Sequence, residues 1–429
     1  MIRESILRQK REVEEALGSR YVRRDAERKI EKWIDKDIIK VVAGVRRAGK
    51  SFFSLHALKE EKFGYVNFDD EEICNAKFDE VLKSVIEIYG KFNILFFDEI
   101  QNLKNWEIIV NRLRRQGCNL IITGSNANLL SGELATRLTG RYIEIEIYPF
   151  SFKEFLLARG LTNLSIDLPE DVGKVLSLLR EYIIQGGFPE VVVKKYDYKE
   201  YLNTLLNAII LKDIVKRHKP KYPETITNLV YFLVSNISAS ISLTKLARNL
   251  DIGSVHTVEK YVSYFEEAYL FFFLNQFSFR AISQIKSPKK VYAVDTGFYS
   301  STAFKISENL GRLMENLVAI ELLRRKSYFN PKMEIYYFKT HEGYEIDFLI
   351  KEKLRITKLI QVTYANSFDE IDEREIRTLL KARELFGEHK PELLVITWDY
   401  EDEREISWFG KKGKIKFIPL WKWVLEFRV

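Results

Sequence analysis

The chain has 429 residues, of which 46% are hydrophobic and 30% charged. That balance excludes a disordered or fibrous chain and suits a globular protein of roughly two to four domains. A net charge of +7, spread over 68 basic and 61 acidic residues, permits an acidic partner such as nucleic acid without requiring one.

Residues 1–35 carry apolar positions among charges at helical spacing. Short apolar runs then alternate with amphipathic segments. The pattern predicts strands at 38–43, 64–68, 93–97 and 119–123 and helices at 51–62, 78–89 and 106–116. Buried runs of this length between helices predict a parallel sheet covered on both faces, in an α/β domain ending near Phe150.

From 151 to 285 the pattern is helical, without evident strands. Within it, 241–253 and 254–265 read as helix, turn, helix, with Ser254 as the N-cap of the second. The basic run 211–221 is a candidate nucleic-acid patch, though a solvated loop is the reading preferred. From about 290 the character changes again. A helix is predicted at 311–326, strands at 332–339, 343–351 and 357–364, a helix at 371–386, strands at 393–398 and 414–419, and a short helix at 421–426.

Cys74 and Cys118 lack metal-type spacing and the histidines are scattered, which argues against a disulfide framework and a zinc site. The charged N-terminus has no apolar core of a signal peptide. The longest uncharged run, 225–244, is rich in Thr, Asn and Ser and reads as a buried helix and turn, not a membrane span. A cytoplasmic protein without membrane contact is expected. Few Cys and Met beside abundant Lys, Glu and Ile suggest a thermophile's usage.

The first chemical signal is Gly44-Val45-Arg46-Arg47-Ala48-Gly49-Lys50-Ser51, which fits G-x-x-x-x-G-K-[ST] between a strand and a helix. Its glycines let successive backbone amides face phosphate oxygens, and the helix that follows adds its positive end. Lys50 is expected to reach the β- and γ-phosphates, Ser51 to ligate Mg2+, and Phe52 to flank the nucleotide. Downstream, the apolar run 94–97 ends in Asp98-Glu99. Asp98 is the expected Mg2+ partner and Glu99 the base that polarises water. Ser125 or Asn126, at the tip of the next strand, could sense the γ-phosphate. Arg137 and Arg141 are candidate fingers for a neighbouring subunit's ATP in an expected homo-oligomer.

Residues 41–51, Asp98-Glu99-Ile100-Gln101 and 122–126, with the stretches 138–156 and 183–192, resemble the AAA+-like ATPases of a large prokaryotic family with a DUF4143-type C-terminal region. The resemblance implies a P-loop NTPase domain of the ASCE/AAA+ type over 1–150, using ATP and Mg2+. The segment 151–285 is expected to hold a helical lid and a winged-helix domain. Its DNA-facing candidates are Arg248, His256, Thr257 and Lys260. Glu259, Glu266 and Glu267 oppose that role, and the same fold also serves as a packing or interaction module.

The order helix, three strands, helix, strand in 286–429 resembles a restriction-endonuclease-like domain. Glu315, Asp347 and Gln361 stand at the positions of its metal-binding acids and amide, while Thr363 stands where the family has lysine. Lys339 is the expected spatial substitute. A degenerate nuclease fold used for binding or assembly is expected over an active nuclease. The resulting expectation is an Mg2+-dependent ATPase coupled to nucleic-acid binding or remodelling. The alternatives are a slow ATP-driven switch that recruits a protein, and an ATP-dependent DNA nuclease.

Overall fold

The computed structural model describes all residues except 126–139, 162–168, 303–308, 341 and 426–429. They form two units, Met1–Phe150 with Glu266–Tyr269, and Ser151–Phe265 with Leu270–Val429.

The first unit is built on five parallel strands: β1 (Ile39–Ala43), β2 (Phe63–Asn67), β3 (Ile94–Asp98), β4 (Asn119–Gly124) and β5 (Tyr142–Glu146). Their order is β2-β3-β4-β1-β5. β1 and β3 are buried along their whole length, which is why they read as unbroken apolar runs. Lys40 is the exception within β1. Its buried ammonium donates to Lys36 O and Asn119 Oδ1, and burial lowers its pKa to about 8. β5 adds a strand that the apolar-run pattern does not announce. Its Tyr-Ile-Glu-Ile-Glu sequence alternates because it lies at the sheet edge. On one face the helices Ile2–Gly18 and Phe78–Tyr89 meet over Ile6, Val66, Val81, Val85 and Leu95.

The order matters for chemistry. β4 lies between β1 and β3, so the carboxyl ends of all three open on one edge of the sheet. That edge is where ligands bind in open α/β sheets.

The second unit begins with helices. Ser151 and Glu154 form a reciprocal capping box at the start of Phe152–Ala158. Asp295 is fully sequestered and accepts from the backbone N–H of Gly187 and of Gly297, tying the 183–192 stretch to the segment after the central strand of the next sheet. The run 211–221 is not a loop. It is helical as far as His218, through a π-helical stretch Ile209–Val215 that buries Ile209, Ile210 and Ile214.

The helices Leu243–Asn249 and Val255–Glu267 follow, joined by a turn in which Asp251 is left-handed. Beside them is a small antiparallel sheet of order β6-β8-β7, where β6 is Ser240–Ile241, β7 Phe271–Leu274 and β8 Lys289–Ala293. Within 151–285 these strands escape the helical pattern. β6 has two residues and β7 is a continuous aromatic run without alternation.

The C-terminal sheet has six strands in the order β13-β14-β12-β11-β10-β9. They are β9 (Met333–Lys339), β10 (Glu345–Glu352), β11 (Arg355–Val362), β12 (Glu392–Thr397), β13 (Asp402–Trp408) and β14 (Lys411–Pro419). β9, β10 and β11 pair antiparallel, and β12 and β14 extend the sheet in parallel. β13 is an exposed edge strand rich in charge, which hides it from an apolar-run reading. The helices Leu310–Tyr328 and Glu373–Leu385 pack on this sheet. Among the described residues, no helix is long and apolar enough to cross a membrane.

Candidate functional site

The loop 44–49 leaves β1, and the helix Lys50–Ala57 starts at its end. Gly49 caps that helix at φ 92, a conformation open to glycine. Lys50 is buried, and its Nζ donates to Gly44 O and Val45 O at 3.1 Å each. Ala48 is buried, Arg46 half-buried and Arg47 exposed with a left-handed backbone at φ 66. The loop is braced from the N-terminal side by buried Arg24, whose guanidinium donates to Ala48 O at 3.1 Å and also to Tyr148 O.

Ser51 Oγ donates to Asp98 Oδ1 at 2.9 Å. Two motifs distant in sequence thus meet at the sheet edge. Asp98 is buried at the end of β3 and also accepts from Tyr65 Oη at 2.9 Å and from Thr123 Oγ1. Burial, and next the neighbouring Glu99, push its carboxyl above the ordinary range, while the three hydroxyl donors pull it back. Glu99 follows with a left-handed backbone at φ 50, its N–H donating to Thr123 Oγ1 at 3.1 Å and its carboxylate accepting from Gln101. Thr123 therefore touches both members of the acid pair.

Ser125 is buried just beyond the end of β4. Asn126 and Arg137 lie outside the described residues. Arg141 is exposed at the start of β5, and its carbonyl accepts from Ile39 N. Phe52 is half-buried against Tyr21 and His56, whose rings stack at 4.2 Å.

This donor set suits a magnesium nucleotide. Mg2+ is held by one or two protein oxygens and otherwise by water and phosphate. One hydroxyl and one carboxylate in contact, beside a buried ammonium on glycine-loop carbonyls, match that need.

In the second unit, Ser254 caps the helix Val255–Glu267 by accepting from Thr257 N at 3.1 Å. Arg248, His256 and Lys260 are exposed and Thr257 half-buried, while His256 Nδ1 lies 3.5 Å from Glu259 Oε2.

Glu315 of the helix Leu310–Tyr328 and Asp347 of β10 come together, but Lys339 does not join them. Lys339 is exposed and lies 3.5 Å from Glu345 Oε2. The ammonium between the acids belongs to Lys290 of β8, at 2.9 Å from Glu315 Oε1, 2.9 Å from Asp347 Oδ1 and 2.7 Å from Glu345 Oε1. Gln361 is buried on β11, with its Oε1 lacking a hydrogen-bond partner among the described residues.

Tyr65, Thr123, Arg24 and Lys290 are the contacts that a motif reading misses. Only Lys290 leaves a trace in sequence, as a lysine directly before the apolar run Val-Tyr-Ala-Val.

An AAA domain matches residues 36–156, a domain of unknown function, DUF8612, matches 176–309, and another, DUF4143, matches 310–423. The uncharacterized protein MJ1544 of Methanocaldococcus jannaschii is 36% identical over 405 residues, covering 91% of this chain and 88% of that one. An uncharacterized protein of Haemophilus influenzae is 32% identical over 412 residues, covering 91% and 95%. Among solved structures, the Walker-type ATPase PABY2304 of Pyrococcus abyssi aligns with a TM-score of 0.44 at 15% identity, over 65% of this chain and 95% of that one. The ORC1 protein of Aeropyrum pernix in complex with DNA aligns at 0.29 and 12%, over 70% and 93%. On its AAA and DUF4143 domain matches and its likeness to the Methanocaldococcus jannaschii and Haemophilus influenzae proteins, the chain belongs to the family of AAA-type ATPases that carry a DUF4143 domain behind the AAA domain.

Proposed function

We propose that the chain binds ATP with Mg2+ in the 44–51 loop, hydrolyses it, and couples hydrolysis to DNA through the helix pair 243–267. The observation that carries the ATP site is the 2.9 Å bond between Ser51 Oγ and Asp98 Oδ1, beside the Lys50 ammonium held on the loop. Ser51 and Asp98 would hold the ion, which supplies charge neutralisation at the β- and γ-phosphate oxygens. Lys50 would exchange its loop carbonyls for phosphate oxygens. Backbone amides of 45–49 would line the phosphates, with Phe52 flanking the nucleotide. Glu99 would orient the attacking water and take its proton. Thr123, bonded to both acids, keeps Glu99 and Asp98 in one register. Ser125, just beyond the end of β4, and Asn126, next in sequence, would be the γ-phosphate sensors, and Arg137 or Arg141 would act on a neighbour's ATP in a homo-oligomer.

The DNA reading rests on exposed Arg248, His256 and Lys260 around the capped helix, with Thr257 at its first turn, in a helix pair followed in the chain by the antiparallel strands β7 and β8.

The test is ATP hydrolysis by purified chain. Lys50→Ala is expected to lose nucleotide binding. Glu99→Gln is expected to keep binding while turnover falls about 10²–10⁴-fold. An unchanged turnover in Glu99→Gln removes Glu99 as the base.

One observation favours a second reading, recruitment of a protein partner. Phe279, Ile282 and Ile285 are 72%, 70% and 76% exposed on and beside the helix Ala281–Lys286. Three exposed apolar side chains so close together are typical of an interaction surface. If Phe279→Ser/Ile282→Ser raises solubility without changing DNA-stimulated turnover, that patch serves a partner other than DNA.

A further inference from the structure

The C-terminal acids sit where a metal would be expected, yet the residues present do not fit one. Lys290 Nζ has three protons to donate and lies within 2.9 Å of three carboxylates, on Glu315, Asp347 and Glu345. Two further donors engage the buried acids: one shares the Glu315 oxygen that meets Lys290, and one takes the second oxygen of Asp347. Tyr292 Oη donates to Glu315 Oε1 at 2.7 Å, and Val362 N donates to Asp347 Oδ2 at 3.0 Å. The ring of Tyr337 lies 6.0 Å from the ammonium.

Access is equally restricted. Lys290 is 2% exposed, Asp347 7% and Glu315 9%. A phosphodiester could not reach these oxygens without opening the cluster. A divalent ion needs oxygens at about 2.0–2.6 Å with room for water or substrate. Here the centre is filled by nitrogen.

We propose that Lys290 is the resident cation of this cluster, an internal ammonium in the place of a metal. It joins β8, the helix Leu310–Tyr328 and β10, and so commits the domain to assembly and not to metal-dependent hydrolysis. The logic is one of charge. Two buried carboxylates beside a half-buried third cannot be left together without a cation, and a covalently attached lysine supplies one permanently. Removing it leaves a carboxylate pocket of the chemistry that hard divalent ions select.

The experiment uses the full chain without nucleotide and Mn2+ as probe, read by electron paramagnetic resonance. The wild type and Asp347→Asn should titrate with the same number of tight Mn2+ sites. Lys290→Ala should gain one site, and Lys290→Ala/Asp347→Asn should lose it again. If Lys290→Ala is unfolded alone, refolding by Mn2+, followed by circular dichroism, gives the same answer. The proposal is overturned if the wild type holds a tight Mn2+ site that Asp347→Asn removes. Gln361 Oε1, buried and without a hydrogen-bond partner among the described residues, would then be a further ligand. It is equally overturned if Lys290→Ala neither gains a site nor refolds with Mn2+. Because no ATP is involved, either outcome leaves the reading of the 44–51 loop untouched.

Discussion

Gly44 occupies the tightest point of the phosphate loop. Its φ is 145, and a Cβ placed on it would lie 2.1 Å from Ile147 O. That oxygen is backbone, fixed by the bond from Ile147 N to Ala43 O at 2.7 Å, so it cannot swing aside. Gly44→Ala should therefore displace the loop, destabilising the first unit by about 2–4 kcal/mol and abolishing nucleotide binding. Thermal melts and a fluorescent-nucleotide titration check both effects. Nearly normal binding would mean that the loop shifts without loss. At this scale the site was legible where it depends on local spacing. Lys50, Ser51, Asp98 and Glu99 declare themselves by position after a strand. Thr123 and Tyr65 do not, because their contact with Asp98 crosses from β4 and β2 to β3, and strand order is not written in any one segment. Lys290 was missed for the same reason. Its partners lie on a helix and a strand further along the chain, while Lys339 ends the strand that precedes the one carrying Asp347.

Elements were legible when buried on both faces or amphipathic over several turns. β1, β3 and β4 and the long helices met that condition. β5 and β13, both edge strands, did not, since an edge carries charge on its open side. The helix Glu373–Leu385 shows a further consequence of packing. Its apolar face buries Ile376, Leu379 and Leu380, which carries Glu375 inward beside Asp347. Burial, and next the charge of Asp347, push the Glu375 carboxyl up to about 8, against the hydrogen bond to Thr363. The folded chain then binds this proton more tightly than the unfolded chain does. Its contribution to stability is present below about pH 4 and is lost as the pH climbs towards 8. Glu375→Gln stays neutral throughout. Its melting temperature should equal that of the wild type near pH 4.5 and exceed it at pH 8, by on the order of 2 kcal/mol in stability. Parallel melting curves across that range would show that Glu375 does not titrate in this window.

At the scale of the molecule, the chain's path ties the candidate DNA helix to the ATPase sheet. Val255–Glu267 leads directly into Glu266–Tyr269, and that short segment belongs to the first unit. There Tyr269, left-handed at φ 54, donates through Oη to Glu144 Oε1 of β5 at 3.2 Å. β5 pairs in parallel with β1, the strand that ends in the phosphate loop. The proposed coupling to DNA would use this covalent connection from the helix to the segment bonded to β5. If hydrolysis is coupled to DNA along this route, duplex DNA should raise turnover several-fold at low salt. Arg248→Glu/Lys260→Glu should lose that increment, because two exposed cations proposed to meet phosphate are reversed in charge. Tyr269→Phe tests the route itself. It should retain DNA binding, measured by fluorescence anisotropy, while the DNA-dependent rise in turnover falls. Raising salt from about 50 to 200 mM should weaken binding steeply in the wild type and less in the double variant, since each lost phosphate contact lowers the slope of log affinity against log salt by about one. No stimulation by single- or double-stranded DNA would overturn the coupling and leave the exposed Phe279, Ile282 and Ile285 patch as the feature through which the chain uses its ATP.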